Sequence, residues 1–304
     1  MQVTPIIVAN TLLQNVQNQE AQITKLQQEE SSGQKFQLPS DNPMAAENTL
    51  NLNNTLAGIK TFTTSAQNAQ GWLNQTNGVL TNMINLWDQV LQTATQAANS
   101  TNNQADLNAL ANNVLQMQTN FAQMLNTQYE GSYIFNGYNT QNPPTQLTSA
   151  NPPASALAAT QGQLQNFEIN NGVSVTVNLT GWENVGQPSG QNYLQTAYSD
   201  LGKLAAAIQS GPLAVQSILG SLKSDLNTLT GAQALVGGNM QRVQNTLTQL
   251  AHAQSDINQN LANVSGANMA QVTTQLAQEQ NAYRATLQSG AGVLSLSLLN
   301  FINP

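Results

Sequence analysis

Between residues 226 and 264 the chain sets Leu226, Leu229, Gln233, Val236, Met240, Val243, Leu247, Leu250, Gln254, Ile257, Leu261 and Val264 at alternating steps of three and four. Ten of these twelve positions are apolar. A strand repeats every two residues and a loop has no repeat, so this stripe calls for long helices packed side by side. Residues 59–97 answer with Ile59, Phe62, Ala66, Ala69, Leu73, Thr76, Leu80, Met83, Trp87, Val90, Ala94 and Ala97. The expected fold is mainly α with a small β insert (α+β), its long antiparallel coiled-coil rods drawn from both chain ends. The seam positions singled out are Phe62, Leu73, Leu80 and Trp87 in one half, and Val236, Val243, Leu250 and Ile257 in the other.

The surface of these rods is polar without being ionic. Hydrophobic residues make up 40% of the chain, yet charged residues only 7%, against about a quarter in an ordinary protein. Asn and Gln, 41 of each, take their place. Amides do not titrate, so this composition predicts stability nearly flat from neutral to mildly acidic pH. The net charge of −7 is dispersed, and no two of the seven basic residues are neighbours. Nothing here suggests a nucleic-acid partner, which needs clustered Lys or Arg.

With no cysteine, disulfides, thiol catalysis and cysteine-based metal sites are excluded. No stretch reaches the roughly 18 apolar residues of a membrane span. Residues 1–19 have neither a basic start nor an uninterrupted apolar core, so no cleaved secretory signal is read there. Any export would use a route that leaves the N-terminus intact.

Along the chain, a first helix runs from about Pro5 to Glu30, with Ile6, Ala9, Leu13, Val16, Glu20, Ile23 and Gln27 as its stripe and Leu12 and Leu26 widening it. Ser31-Ser32-Gly33 stops it, since glycine supplies the left-handed residue of a helix end. Asn42 and Pro43 restart a helix as cap and first residue, and it continues to about Asn99. A third helix is lined by Leu107, Leu110, Val114, Met117, Phe121 and Met124. Helical period then ends near Tyr129. Residues 130–137 read as a turn and short strand, 139–162 as a loop or weak strands, and Asn171-Gly172 as a hairpin turn. Val173, Val175, Val177 and Leu179 alternate with polar residues as a half-buried strand. Helix resumes near Asn192, breaks at Gly211-Pro212, runs from Leu213 to Val264, and restarts for Met269–Ile302.

Residues 1–19 and 285–304 contain no charged side chain. A charge is costly in a dry contact unless paired, so both tips read as prepared for burial. The residues expected to carry that burial are Ile6, Leu13, Val16, Ile23, Leu287, Leu294, Leu298 and Phe301. The apolar run Val293–Ile302 would be a liability on a monomer.

These residues carry a resemblance. Asn10-Thr11-Leu12-Leu13 is followed by Ser31-Ser32-Gly33-Gln34-Lys35-Phe36 and by Pro39-Ser40-Asp41-Asn42-Pro43. Then come Trp72-Leu73, Asn99-Ser100-Thr101 and the string from Asn126 to Gly137. Val236–Val243 and Ser297–Ile302 complete the order. Over nearly its whole length, least at about 138–195, the chain resembles the flagellin superfamily and, within it, the hook-associated proteins that join hook to filament. It departs from that family where Asn42, Asn268 and Asn300 stand in place of acidic residues.

The resemblance implies a structural, non-catalytic protein outside the cell, on the bacterial flagellum, exported through the flagellar type III channel without a cleaved signal. It implies terminal helices (1–42 and 265–304) in an inner assembly tube, a long helical bundle (43–137 and 196–264) and a small β-containing outer domain (138–195). The implied partners are other copies in a ring or tubular layer, the first hook-associated protein, flagellin and an export chaperone. Flagellin itself is the nearest alternative, although the Tyr133–Gly137 string and the short middle favour the junction protein. A secreted helical adhesin or translocator would explain the rods but not the paired end motifs.

No cofactor, metal or catalytic residue is expected. His252 is the lone histidine, between seam positions, and reads as an exposed helix face with no second ligand. Glu29-Glu30 reads as a solvated helix end, with no nucleophile placed beside it. Trp72, Trp87, Met83, Met117, Met124 and Met240 read as packing residues rather than a ligand box, and Tyr133, Phe135 and Tyr138 as anchors of the insert. No Gly-rich phosphate loop with lysine is present.

Overall fold

The computed structural model describes residues 5–145, 161–183, 185 and 192–302, with the side chains of residues 5, 6, 8 and 293–302 left aside. Among these, six helices account for most of the chain: α1 (Pro5–Ser32), α2 (Pro43–Ala97), α3 (Gln104–Leu125), α4 (Tyr193–Ser210), α5 (Pro212–Ser265) and α6 (Met269–Ile302). Four short strands lie between α3 and α4: β1 (Gln128–Tyr129), β2 (Ser132–Tyr133), β3 (Asn166–Asn170) and β4 (Val173–Thr176). They form two separate antiparallel pairs, β1–β2 and β3–β4. The fold is mainly α with a small β part.

Amides start the helices. Asn42 Oδ1 accepts from Ala45 N at the head of α2, and Asn268 Oδ1 accepts from Gln271 N at the head of α6. Asn serves as an N-cap as well as Asp does, so amides at these two positions keep the cap while dropping the charge. At α3, Asn103 and Asp106 exchange bonds as a reciprocal capping box. Gly211 ends α4 at φ +108°, a conformation that favours glycine.

The chain divides into two compact units, Met1–Gly58 with Ala253–Pro304, and Ile59–His252. Both divisions fall inside unbroken helices, α2 and α5, and not at the helix ends near 42 and 265. In the second unit α2 and α5 run antiparallel. Rungs between them join Gln70 Nε2 to Gln244 Oε1 and Gln233 Nε2 to Thr81 Oγ1, both at 2.9 Å. The stripe Ala66, Ala69, Leu73, Thr76, Leu80, Met83, Trp87, Val90, Ala94 and Ala97 is wholly buried. From α5 the core receives Val215, Leu222, Leu229, Val236 and Val243, one every seven residues. Seven residues nearly complete two helical turns, so each returns to the same face.

The insert is not separated from this core. Ile169, Val175, Val177 and Leu179 belong to the same buried cluster as the helices, as do Ile134 and Phe135 of the segment that leads into it. The strand expected through Leu179 ends at Thr176: Val177 N still donates to Gln165 O, but β3 begins at Asn166. Residues 146–160 of the expected 139–162 loop lie outside the described residues.

The two-residue turn of β1–β2 puts Glu130 at φ +50° and Gly131 at φ +78°. Both central residues are left-handed, which suits Asn-Gly; a glutamate there costs about 1 kcal/mol through its Cβ. Glu130→Asn is therefore expected to raise stability by roughly that 1 kcal/mol. A denaturant midpoint unchanged or lowered by the substitution would show that the Glu130 side chain compensates.

Candidate assembly surface

Within the first unit α1 and α6 lie against each other. Their contact is two interlocking stripes: Leu12, Val16, Gln19, Ile23 and Leu26 on α1, and Val272, Leu276, Glu279, Gln280, Tyr283, Thr286 and Gly290 on α6, all partly or fully buried. Leu26, Val272 and Leu276 form a small core of their own. Leu12 reaches over Gly290 so closely that a Cβ there would strike its methyl groups. The helices thus run antiparallel, Leu12 beside Gly290 at one end and Leu26 beside Leu276 at the other.

The α1 stripe differs from the expected one at Leu13, Glu20 and Gln27, which are exposed. That alignment would have turned the Glu20 carboxylate into the contact, at a desolvation cost. The contact is carried instead by Leu12 and Leu26, the two leucines expected to widen the stripe, and Glu20 is exposed.

At the closed end of this pair the serine–glycine–lysine segment acts as a strap. Gly33, at φ +68°, donates to Glu29 O and closes α1. Its own carbonyl accepts from Ala267 N at 2.8 Å, and Lys35 N donates to Ser265 O at 2.8 Å. The Lys35 ammonium then caps the end of α5 by donating to Asn263 O at 3.1 Å, where the helix dipole favours a cation.

Burial separates the residues proposed for the tips. Val16 and Ile23 are half-buried in the α1–α6 contact. Leu13 and Leu287 face away from it, 56% and 46% exposed, with Ile7 similarly open. The side chains of Ile6, Leu294, Leu298 and Phe301 lie outside those described. Of the proposed bundle positions, Leu73, Leu80, Trp87, Val236, Val243 and Leu250 are buried, whereas Phe62 and Ile257 are half-buried.

Three features had no place in the sequence reading. Arg242 donates to Ser174 O at 2.7 Å and Asn239 to Thr176 O at 3.0 Å, so α5 holds the outer edge of β4 by its carbonyls. Gly231 admits Val185, whose carbonyl oxygen would stand 3.2 Å from a Cβ there. Third, Asp200 of α4 and Asp225 of α5 are both buried, and Asp225 Oδ2 has no hydrogen-bond partner. Lys203 Nζ pairs with Asp200 Oδ1 at 2.6 Å. Among the described residues no group of His, Asp and Glu could hold a metal ion, and no helix is long and apolar enough to cross a membrane.

Residues 3–140, which span α1, α2, α3 and the β1–β2 hairpin, match the family model of the bacterial flagellin N-terminal helical region. Over 74% of this chain the fold is similar to that of a Vibrio parahaemolyticus protein assigned as a flagellar hook-associated protein, at 16% identity and a TM-score of 0.63, with 100% of that protein covered. It is also similar to FlgL of Bacillus cereus, at 20% identity and a TM-score of 0.57, over 70% of this chain and 99% of that one. No curated protein matches the sequence.

Proposed function

We propose that this chain is a structural subunit of the bacterial flagellum, the hook-associated protein that joins the hook to the flagellin filament. The observation that carries the reading is the α1–α6 pair. Its outer ends hold no charged side chain, yet Leu13 and Leu287 stand open to solvent. An isolated chain gains nothing from that arrangement; a copy packed among others buries both leucines at about 1.5–3 kcal/mol each. Likeness in fold to hook-associated proteins over nearly their whole length supports the junction over the shaft. On this reading the chain acts outside the cell after export without a cleaved signal. It forms a ring or tubular layer of its own copies between the first hook-associated protein and flagellin, after escort by an export chaperone. No step of the role is catalytic.

Gold labelling of detached flagella tests it. A thin band between hook and filament is expected, and label along the whole shaft would make the chain a flagellin instead. Combining Leu13→Glu with Leu287→Glu should leave the helical spectrum and melting of the purified protein unchanged while reducing filament-bearing cells to the level of a null strain. Filaments in normal number on cells carrying the double variant would remove the tips from the assembly contact.

A further inference from the structure

Three Asn-Gly pairs occur in the chain, Asn77-Gly78, Asn136-Gly137 and Asn171-Gly172, and the fold treats them differently. Asn77-Gly78 lies inside α2, where the glycine N–H belongs to the helix ladder and the backbone is fixed. Asn136 is buried, and its Nδ2 donates to Asn139 O at 3.1 Å and to Asn142 O at 2.9 Å. Asn171 is exposed at the turn between β3 and β4, and its carboxamide has no partner among the described residues. Gly172 is at φ +68° whereas Asn171 is not left-handed, and the strand register shifts between Glu168 and Asn170. This is an irregular, solvent-facing turn.

One contact singles it out. Gly172 N–H donates to Glu168 Oε1 at 3.2 Å, so a carboxylate is held on the nitrogen that would attack the neighbouring carboxamide. We propose that Asn171-Gly172 is a self-modifying site, at which Asn171 deamidates with Glu168 as the positioned base. Gly172 N bonds to Asn171 Cγ and gives its proton to Glu168. The Cγ–Nδ2 bond breaks, and ammonia leaves with a proton returned through solvent. Water then opens the cyclic imide to aspartate or isoaspartate, with no oxidant or reductant involved. The product carries one more negative charge, and isoaspartate adds a backbone carbon to the hairpin that Asn239 and Arg242 hold against α5. If the chain is the external flagellar subunit proposed above, it would thereby acquire a one-way mark of its age.

Incubating the purified full chain in warm neutral buffer made with oxygen-18 water, followed by peptide mapping, reads the site directly. Label should enter Asn171 well ahead of Asn77 and Asn136. Glu168→Gln should slow it about tenfold, a small part of what a positioned base contributes in an enzyme, and the difference should vanish in denaturant. Label entering Asn136 as fast as Asn171 would overturn the site. Equal slowing by Glu168→Gln in the folded and denatured chains would overturn the positioned base.

Discussion

Trp87→Ala is expected to destabilise the helical bundle by about 5 kcal/mol, more than any other single truncation in it. The indole is fully buried, donates Nε1–H to Leu222 O at 2.7 Å, and meets Phe121 edge-on at 5.7 Å between centroids. It therefore ties α2 to α5 through a hydrogen bond and to α3 through a ring contact. Emptying the site loses about 3–5 kcal/mol in transfer and cavity terms. The aromatic pair adds roughly 0.5–1.5 kcal/mol. Trp87→Phe keeps the ring and leaves Leu222 O its place in the helix ladder, so about 1–2 kcal/mol is expected there. Leu235→Ala, at a more open position on α5, should stay within about 0.5 kcal/mol. Urea unfolding followed by circular dichroism separates the three. A Trp87→Ala loss no larger than that of Leu235→Ala would mean that the α2–α5 contact is not cooperative with the rest of the bundle.

The stripe that contains Trp87 was legible because period and composition agree there. On α2 every step of three or four from Ala66 to Ala97 meets a small or apolar residue or a threonine, and a single face results. On α1 two faces compete. Leu13 and Leu12 stand side by side, and local pattern cannot choose between their faces. The choice is made by Val272, Leu276 and Gly290, more than 240 residues away in sequence. On α5 the pattern was offset by one residue near its upper end: Asp225 and Ala232 are buried, whereas Leu226 and Gln233 are only partly so. Stepping back by four from Leu229 would have reached Asp225 and exposed an acid on the buried face. The strand after Val175 was overextended for another reason. Alternation reports a buried side, and Val177 and Leu179 are buried, but a strand also needs a partner for its backbone. The strap at Gly33–Lys35 was visible as a helix stop, whereas its hydrogen bonds to residues 263–267 were not, since sequence gives no distance between chain ends.

The buried acid on α5 also changes the expected pH response. An amide-rich chain with few ionic pairs predicts stability that is flat between neutral and mildly acidic pH, yet one carboxyl is placed where it must respond. Burial, and then the neighbouring Asp200 carboxyl, push the Asp225 pKa from its ordinary 3.8 up to about 7, with Lys203 opposing them weakly. Lys203 is ion-paired to Asp200, which favours the charged form of Asp200 and leaves Asp225 the carboxyl that takes up the proton. A group with a folded pKa above its unfolded one binds more protons when folded. Its contribution is therefore fully present below pH 3.8 and is lost as pH rises through about 7. The bundle should accordingly be more stable at pH 5 than at pH 8, by an amount on the order of 3 kcal/mol. Asp225→Asn supplies a permanently neutral side chain of the same shape. It should flatten the profile and leave the protein more stable than the native chain at pH 8, with little difference at pH 5. Unfolding curves across that range, native against variant, decide the matter: a slope that survives in Asp225→Asn would assign it to other groups, and a native chain that gains stability toward pH 8 would contradict the buried proton outright.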